Sequence, residues 1–226
     1  MNYHNVEKGI KKIYISQIFA IVVAVMSGGT VLLTEILSRL FDESSTFLAM
    51  AAILTVAFFL VFLVVVIGTG LLEIFGYYQA LKDEPMFKKA MICALVSSSL
   101  TVLGVFVQIP NGMLYTIFTS ASTILEMFVM VYAIAGLIGI SENCARPDLC
   151  KKGDMLLKIM VVTYIISSIE ALITRIFELS DHAKIVSLII GAADLILMVL
   201  RYVFYLRYLR DEMKMLRNVN ANGVRG

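Results

Sequence analysis

The sequence predicts an all-α, polytopic membrane protein with six transmembrane helices, and three observations carry that reading. Six long apolar stretches fill the chain, the connections between them are short, and 16 of its 19 Lys and Arg residues gather at alternate ends of those stretches. An ordinary soluble domain is about 45–50% apolar and roughly 25% charged. This chain of 226 residues is 60% hydrophobic and 16% charged, with a mean hydropathy of +0.89. A fold of this size in water has no interior large enough for so much apolar surface, whereas a bilayer accepts it. One helical crossing takes about 20 mostly apolar residues, and the candidate spans are 13–38, 47–72, 90–109, 113–140, 155–176 and 184–206.

Span one follows Lys8, Lys11 and Lys12, and its apolar run continues well past signal-peptide length without a small-x-small cleavage site. Lys82, Lys88 and Lys89 lie between spans two and three. Arg146, Lys151, Lys152 and Lys158 lie around the junction of spans four and five. Arg201, Arg207, Arg210, Lys214, Arg217 and Arg225 close the chain, while the opposite side holds only Arg39, Arg175 and Lys184. Lys and Arg are enriched in cytoplasmic flanks, so both termini are expected in the cytoplasm of a cell-membrane protein. Residues 1–226 read as a single six-span domain, with 207–226 as a basic amphipathic tail.

A Lys-Lys pair opens each odd span, at Lys11-Lys12, Lys88-Lys89 and Lys151-Lys152. Aligning the second and third pairs superimposes Gly76 on Gly139 and Phe87 on Cys150. The pattern suggests three tandem helical hairpins of like orientation. Small residues four apart allow helices to approach closely in lipid. They occur at Ala20, Ala24 and Gly28, at Ala135 and Gly139, and at Ser187 and Gly191. Trp is absent, and Tyr14, Tyr77, Tyr78, Tyr202, Tyr205 and Tyr208 are expected to serve as an interfacial belt. Beyond Arg201 one stripe of the last helix is apolar (Tyr202, Leu206, Leu209, Met213, Leu216). Another stripe is basic (Arg207, Arg210, Lys214, Arg217) and is expected to lie near anionic headgroups.

Catalytic signatures are missing. His4 and His182, the two histidines, lie outside the spans, which excludes an H-E-x-x-H zinc site. There is no G-x-S-x-G elbow and no phosphate-binding glycine loop. Cys144 and Cys150 share a loop without a second pair or a nearby His, so no metal or cofactor is expected.

Buried acids carry the functional expectation. A charge near the bilayer centre costs about 2.5 to well over 10 kcal/mol, so an acid there faces the bundle interior, pairs, or stays protonated. At about 1.5 Å per residue, Glu126 lies roughly 20 Å below the outer end of span four. Asp194 lies roughly 15 Å below the outer end of span six, and Glu170 roughly 10 Å below that of span five. Arg201, seven residues after Asp194, is expected to carry its charge out to the surface along its flexible stem. Glu35, with Arg39 four residues on, and Glu73 read as interfacial. Ser27, Ser97–Ser99, Thr101, Thr119, Ser120, Ser122, Thr123, Ser167 and Ser168 lie at similar depth, either lining a path or bridging helices.

The six-span layout and the Ala20-x-x-x-Ala24 motif resemble the substrate-capturing subunits of bacterial vitamin transporters. The outer loops here are too short for the substrate lid of that family, so the resemblance assigns no residue a role. The leading expectation is a non-enzymatic protein that moves, or helps move, a small solute or cation past Glu126, Asp194 and Glu170. An accessory or scaffold subunit that binds another membrane protein is the alternative, and an intramembrane enzyme is third.

Overall fold

A computed structural model describes residues 3–40, 64–107, 112–177 and 183–223, with side chains described for 3–23, 64–104, 114, 117–166 and 196–221. The described residues form six helices and no strand. These are α1 (His4–Leu40), α2 (Val64–Ala80), α3 (Met86–Val107), α4 (Gly112–Asn143), α5 (Pro147–Phe177) and α6 (Ala183–Gly223). Each coincides with an apolar stretch predicted above; residues 47–63 of the second stretch lie outside the described residues. Two of the helices are long and apolar enough to cross a membrane, over Met86–Gly104 and Ile117–Asn143, and Val64–Ala80 is a shorter apolar helix.

Neighbours in sequence are neighbours in space. α3 packs on α4, α4 on α5 and α5 on α6, and α6 returns to pack on α1. α1 meets α2 with backbones almost touching. A Cβ on Gly9 would lie 2.5 Å from the Gly76 carbonyl oxygen, and one on Gly76 would lie 2.6 Å from Ile13 Cγ1. Ser16 Oγ donates across the same seam to the Thr69 carbonyl at 3.1 Å. The ring of contacts is completed beside the α2–α3 turn, where Tyr77 stacks on Phe87 at 6.3 Å between centroids. Of the expected seam at Ala135 and Gly139, Gly139 makes no close approach, since a Cβ on it would meet nothing within 4 Å.

The turn between α4 and α5 follows from its sequence. Arg146 N–H bonds the Ser141 carbonyl at 2.9 Å and Ala145 N–H that of Glu142 at 3.0 Å. This paired closure needs a left-handed residue, and Ala145 supplies it with φ of 52°. Pro147 then opens α5, where its missing N–H costs nothing. Cys150 therefore stands in the first turn of α5 rather than in a loop, and Cys93, Cys144 and Cys150 are free thiols.

The buried core lies toward the basic end, where the N-terminus, the two short turns and the final turns of α6 meet. Val6, Ile10, Phe87, Ala90, Leu137, Ile140, Leu209 and Leu216 are among its members. Away from that end apolar side chains stay exposed, among them Val64, Val102, Ile117, Val162 and Ile196. The basic end is also pinned by polar contacts. Asp83 accepts from the backbone N–H of Asn5 at 2.9 Å and of Val6 at 3.1 Å, which are otherwise unpaired donors of the first turn of α1. Asn220 accepts from Tyr3 N–H at 3.0 Å and donates to Glu7 at 2.8 Å. Lys152 reaches Asp211 at 2.8 Å. The apolar stripe of the tail therefore packs against protein: Leu209 and Leu216 are buried, while Arg207, Arg210, Lys214 and Arg217 remain exposed.

Glu212 is fully buried in this region. Ser141 Oγ donates to its Oε1 at 2.7 Å, and its Oε2 has no partner. Burial pushes its carboxyl up to about 7, with Asp211 adding to the rise and Ser141, Tyr208 and Arg146 opposing it.

Two outcomes follow from this packing. Gly76→Leu, which forces a side chain against backbone, should lower the unfolding free energy by about 1–3 kcal/mol, while Gly139→Ala should be close to neutral; thermal unfolding in mild detergent compares them. Because the Glu212 carboxyl titrates higher folded than unfolded, its contribution is fully present below its unfolded pKa, about 4.3, and is lost as pH rises through 7. Glu212→Gln should match the parent near pH 4 and exceed it in stability at alkaline pH by at most about 3 kcal/mol, read from unfolding midpoints across pH.

Candidate functional site

Glu126 lies on the inward stripe of α4. Ser122, four residues before it, and Val129, Met130, Ala133 and Leu137 after it are all buried. Those intervals repeat on one helix face. Glu126 is nonetheless exposed. Polar side chains of α2 and α6 lie within its electrostatic reach.

Arg201 comes from α6 and is only 8% exposed. Its guanidinium sits over the Tyr164 ring at 4.0 Å and lies 5.8 Å from the Tyr202 ring. Its buried Nε has no hydrogen-bond partner, and it makes no ion pair among the described residues. The expectation that Arg201 reaches out to the surface is corrected. The ring of Tyr164 lies within reach across the α5–α6 interface, and a cation on an aromatic face is stabilised without leaving the protein. Arg201 and Glu126 act on each other electrostatically.

Glu73 arrives from α2, where the Tyr77 hydroxyl four residues later donates to it at 2.9 Å. It is within electrostatic reach of Glu126, and Gln17 of α1 lies beside it. Gln17 is 3% exposed with an unpartnered Oε1. Glu73 thus belongs to this polar cluster rather than to an interface. Tyr205, fully buried, lies beside Tyr77, and Tyr164 contacts Met130 Sδ through its hydroxyl at 3.9 Å. Tyr77 and Tyr205, expected in an interfacial belt, are instead buried, as is Tyr164, because the helix faces that carry them turn inward.

Two carboxylates and one guanidinium, Glu73, Glu126 and Arg201, thus lie within electrostatic reach among tyrosines. Such a set can hold a cation, exchange a proton, or clamp a ligand carrying charge of either sign. Asp194 and Glu170 lie on α6 and α5, and their side chains fall outside the described residues, as do those of Glu35, Arg39, Ser27, Ser167 and Ser168. The described hydroxyls act within and between helices. Ser122 Oγ meets Ser97 Oγ at 2.8 Å and Thr101 Oγ1 at 2.7 Å, joining α3 to α4, and Ser99 and Thr123 bond their own helices. No group of three or more His, Cys, Asp or Glu is placed to hold a metal among the described residues.

Two local sequence signals mark this cluster. Gln17 is an amide in an otherwise apolar run, and Glu73-x-x-x-Tyr77 places an acid and a donor one turn apart. No protein-family model, curated protein or solved structure matches the chain.

Replacing Tyr164 with Leu removes the ring beneath a buried cation while keeping apolar bulk. The expected loss is about 2 kcal/mol or more of stability, measured by thermal unfolding. Pairing it with Arg201→Met should recover much of that loss, because the cation then no longer needs the ring.

Proposed function

We propose that this chain is a six-span membrane protein with both termini cytoplasmic, seated in the cell membrane, and that it moves or helps move a small solute or cation. It is not an enzyme in this reading. The path runs past this cluster, with Glu126 as its exposed acid and Asp194 and Glu170 further along. The observation that carries the proposal is an acid exposed on an otherwise buried helix stripe, within electrostatic reach of a buried arginine that makes no ion pair among the described residues. An ionisable group held at such depth is costly, and function is the usual reason it is kept. The exposed apolar side chains away from the basic end support a lipid setting. The alternation of basic flanks supports the orientation.

A second reading, an accessory subunit for another membrane protein, draws support from the tail. Its apolar stripe is covered by the bundle, which leaves Arg207, Arg210, Lys214 and Arg217 exposed on the free side of α6. That stripe suits anionic headgroups or an acidic partner surface.

Proteoliposomes of the purified chain should conduct H⁺, Na⁺ or K⁺, followed with an entrapped indicator for each ion. Glu126→Gln should reduce that flux to the level of empty vesicles, and Asp194→Asn should impair it. Flux unchanged in both variants would remove the cluster from the path.

A further inference from the structure

The last turns of α6 are held on the bundle around a carboxyl. Glu212 is fully buried there, and Ser141 of α4 donates to its Oε1 at 2.7 Å. One turn earlier the Tyr208 hydroxyl rests against α5, where a Cβ on Gly153 would lie 2.7 Å from it. Leu209, Met215 and Leu216 are buried to either side. The titratable groups within electrostatic reach of Glu212 are Cys144 of α4, Arg146 of the α4–α5 turn, Cys150 of α5, and Tyr208 and Asp211 of α6 itself. No cation pairs with Glu212 among the described residues. The two nearest candidates are engaged elsewhere: Arg146 is held by both oxygens of Asp148 at 3.0 and 2.9 Å, and Lys152 by Asp211 at 2.8 Å. A neutral carboxyl is tolerated in such a setting. A carboxylate there is a buried charge with one oxygen unpaired.

We propose that Glu212 is a proton-operated latch on the end of α6: neutral, it lets the final turns stay docked on α4 and α5, and ionised, it releases them. The proposal is independent of the solute path. A glutamine of the same shape would accept the same bond from Ser141 without titrating, so what the acid adds is a response to pH. The element that moves is suited to moving. It ends in Asn218-Val219-Asn220-Ala221-Asn222-Gly223, mostly poor helix formers that keep helical shape through contact with the bundle. Once undocked they fray, and the Asn220 amide leaves Tyr3 and Glu7, so release at Glu212 also frees the start of α1. Burial places the docked carboxyl near 7, against about 4.3 when exposed. Docking is therefore fully supported below about 4.3, weakens by about tenfold per pH unit from there to 7, and levels off above. Acidification on the side of the basic end tightens the tail, and a return to neutrality loosens it.

The test is hydrogen–deuterium exchange of the full chain in mild detergent, read by mass spectrometry and corrected for the intrinsic exchange rate at each pH. Between pH 5 and pH 8 the amides of residues 208–220 should lose protection by about 80-fold. Amides of α3 and α4 around Ala90 and Ala133 should keep theirs. Glu212→Gln should remove the loss, leaving the tail as protected at pH 8 as at pH 5. Ser141→Ala should carry the loss to higher pH, because the missing hydroxyl favours the ionised form. That second profile decides the matter if the glutamine variant does not elute as a folded, monodisperse species. A parent tail indifferent to pH, a loss that persists in Glu212→Gln, or a Ser141→Ala profile identical to the parent's overturns the latch. So does an equal loss in α3 and α4, which reports the whole fold rather than its end.

Discussion

Everything at the basic end depends on the line where the last helix meets the first. Helices in a ring that is not closed would leave one face of α1 and one of α6 bare. Closure buries Val6, Ile10, Leu209 and Leu216, each worth about 1.5–3 kcal/mol when fully removed from solvent. Around these apolar contacts the Asn220 amide engages both Tyr3 and Glu7. Because α6 also packs on α5, the same rod that closes the ring fixes where Arg201 stands. The polar cluster around Arg201 is thus a by-product of closure, since α6 carries Arg201 onto Tyr164 of α5.

The charges in that cluster are positioned by neutral groups. Tyr164 holds Arg201 through its ring face, and Tyr77 holds Glu73 through its hydroxyl. A direct ion pair would have satisfied the same charges at lower cost in organisation. Aromatic scaffolding thus holds Arg201 and Glu73 without either making an ion pair among the described residues.

Much of the architecture could be read from the chain. Helices recur where apolar runs recur, and Glu126 stands out because an acid in the middle of an apolar run has few neutral explanations. What the sequence withheld was lateral information. Depth along α6 follows from counting residues, but whether Arg201 bends toward the surface or onto Tyr164 depends on α5, which no count along α6 reveals. Tyrosines near span ends were read as an interfacial belt for the same reason, since their position along the axis was visible and their direction around it was not. The Gly9–Gly76 contact joins helices through two glycines 67 residues apart, and nothing local marks either as touching the other. The tail's apolar stripe was visible, but its partner turned out to be the bundle end.

The cap on α1 has a bearing on how the chain is assembled over time. The first turn of that helix receives its acceptor from Asp83, beyond the second helix, and its side brace from Asn220, at the far end of the last. A ribosome delivers these pieces in order, so the start of α1 stays uncapped until the first hairpin has emerged and unbraced until nearly the whole chain has. The start of α1 is consequently secured only by residues made after it, and its locking waits on both Asp83 and Asn220.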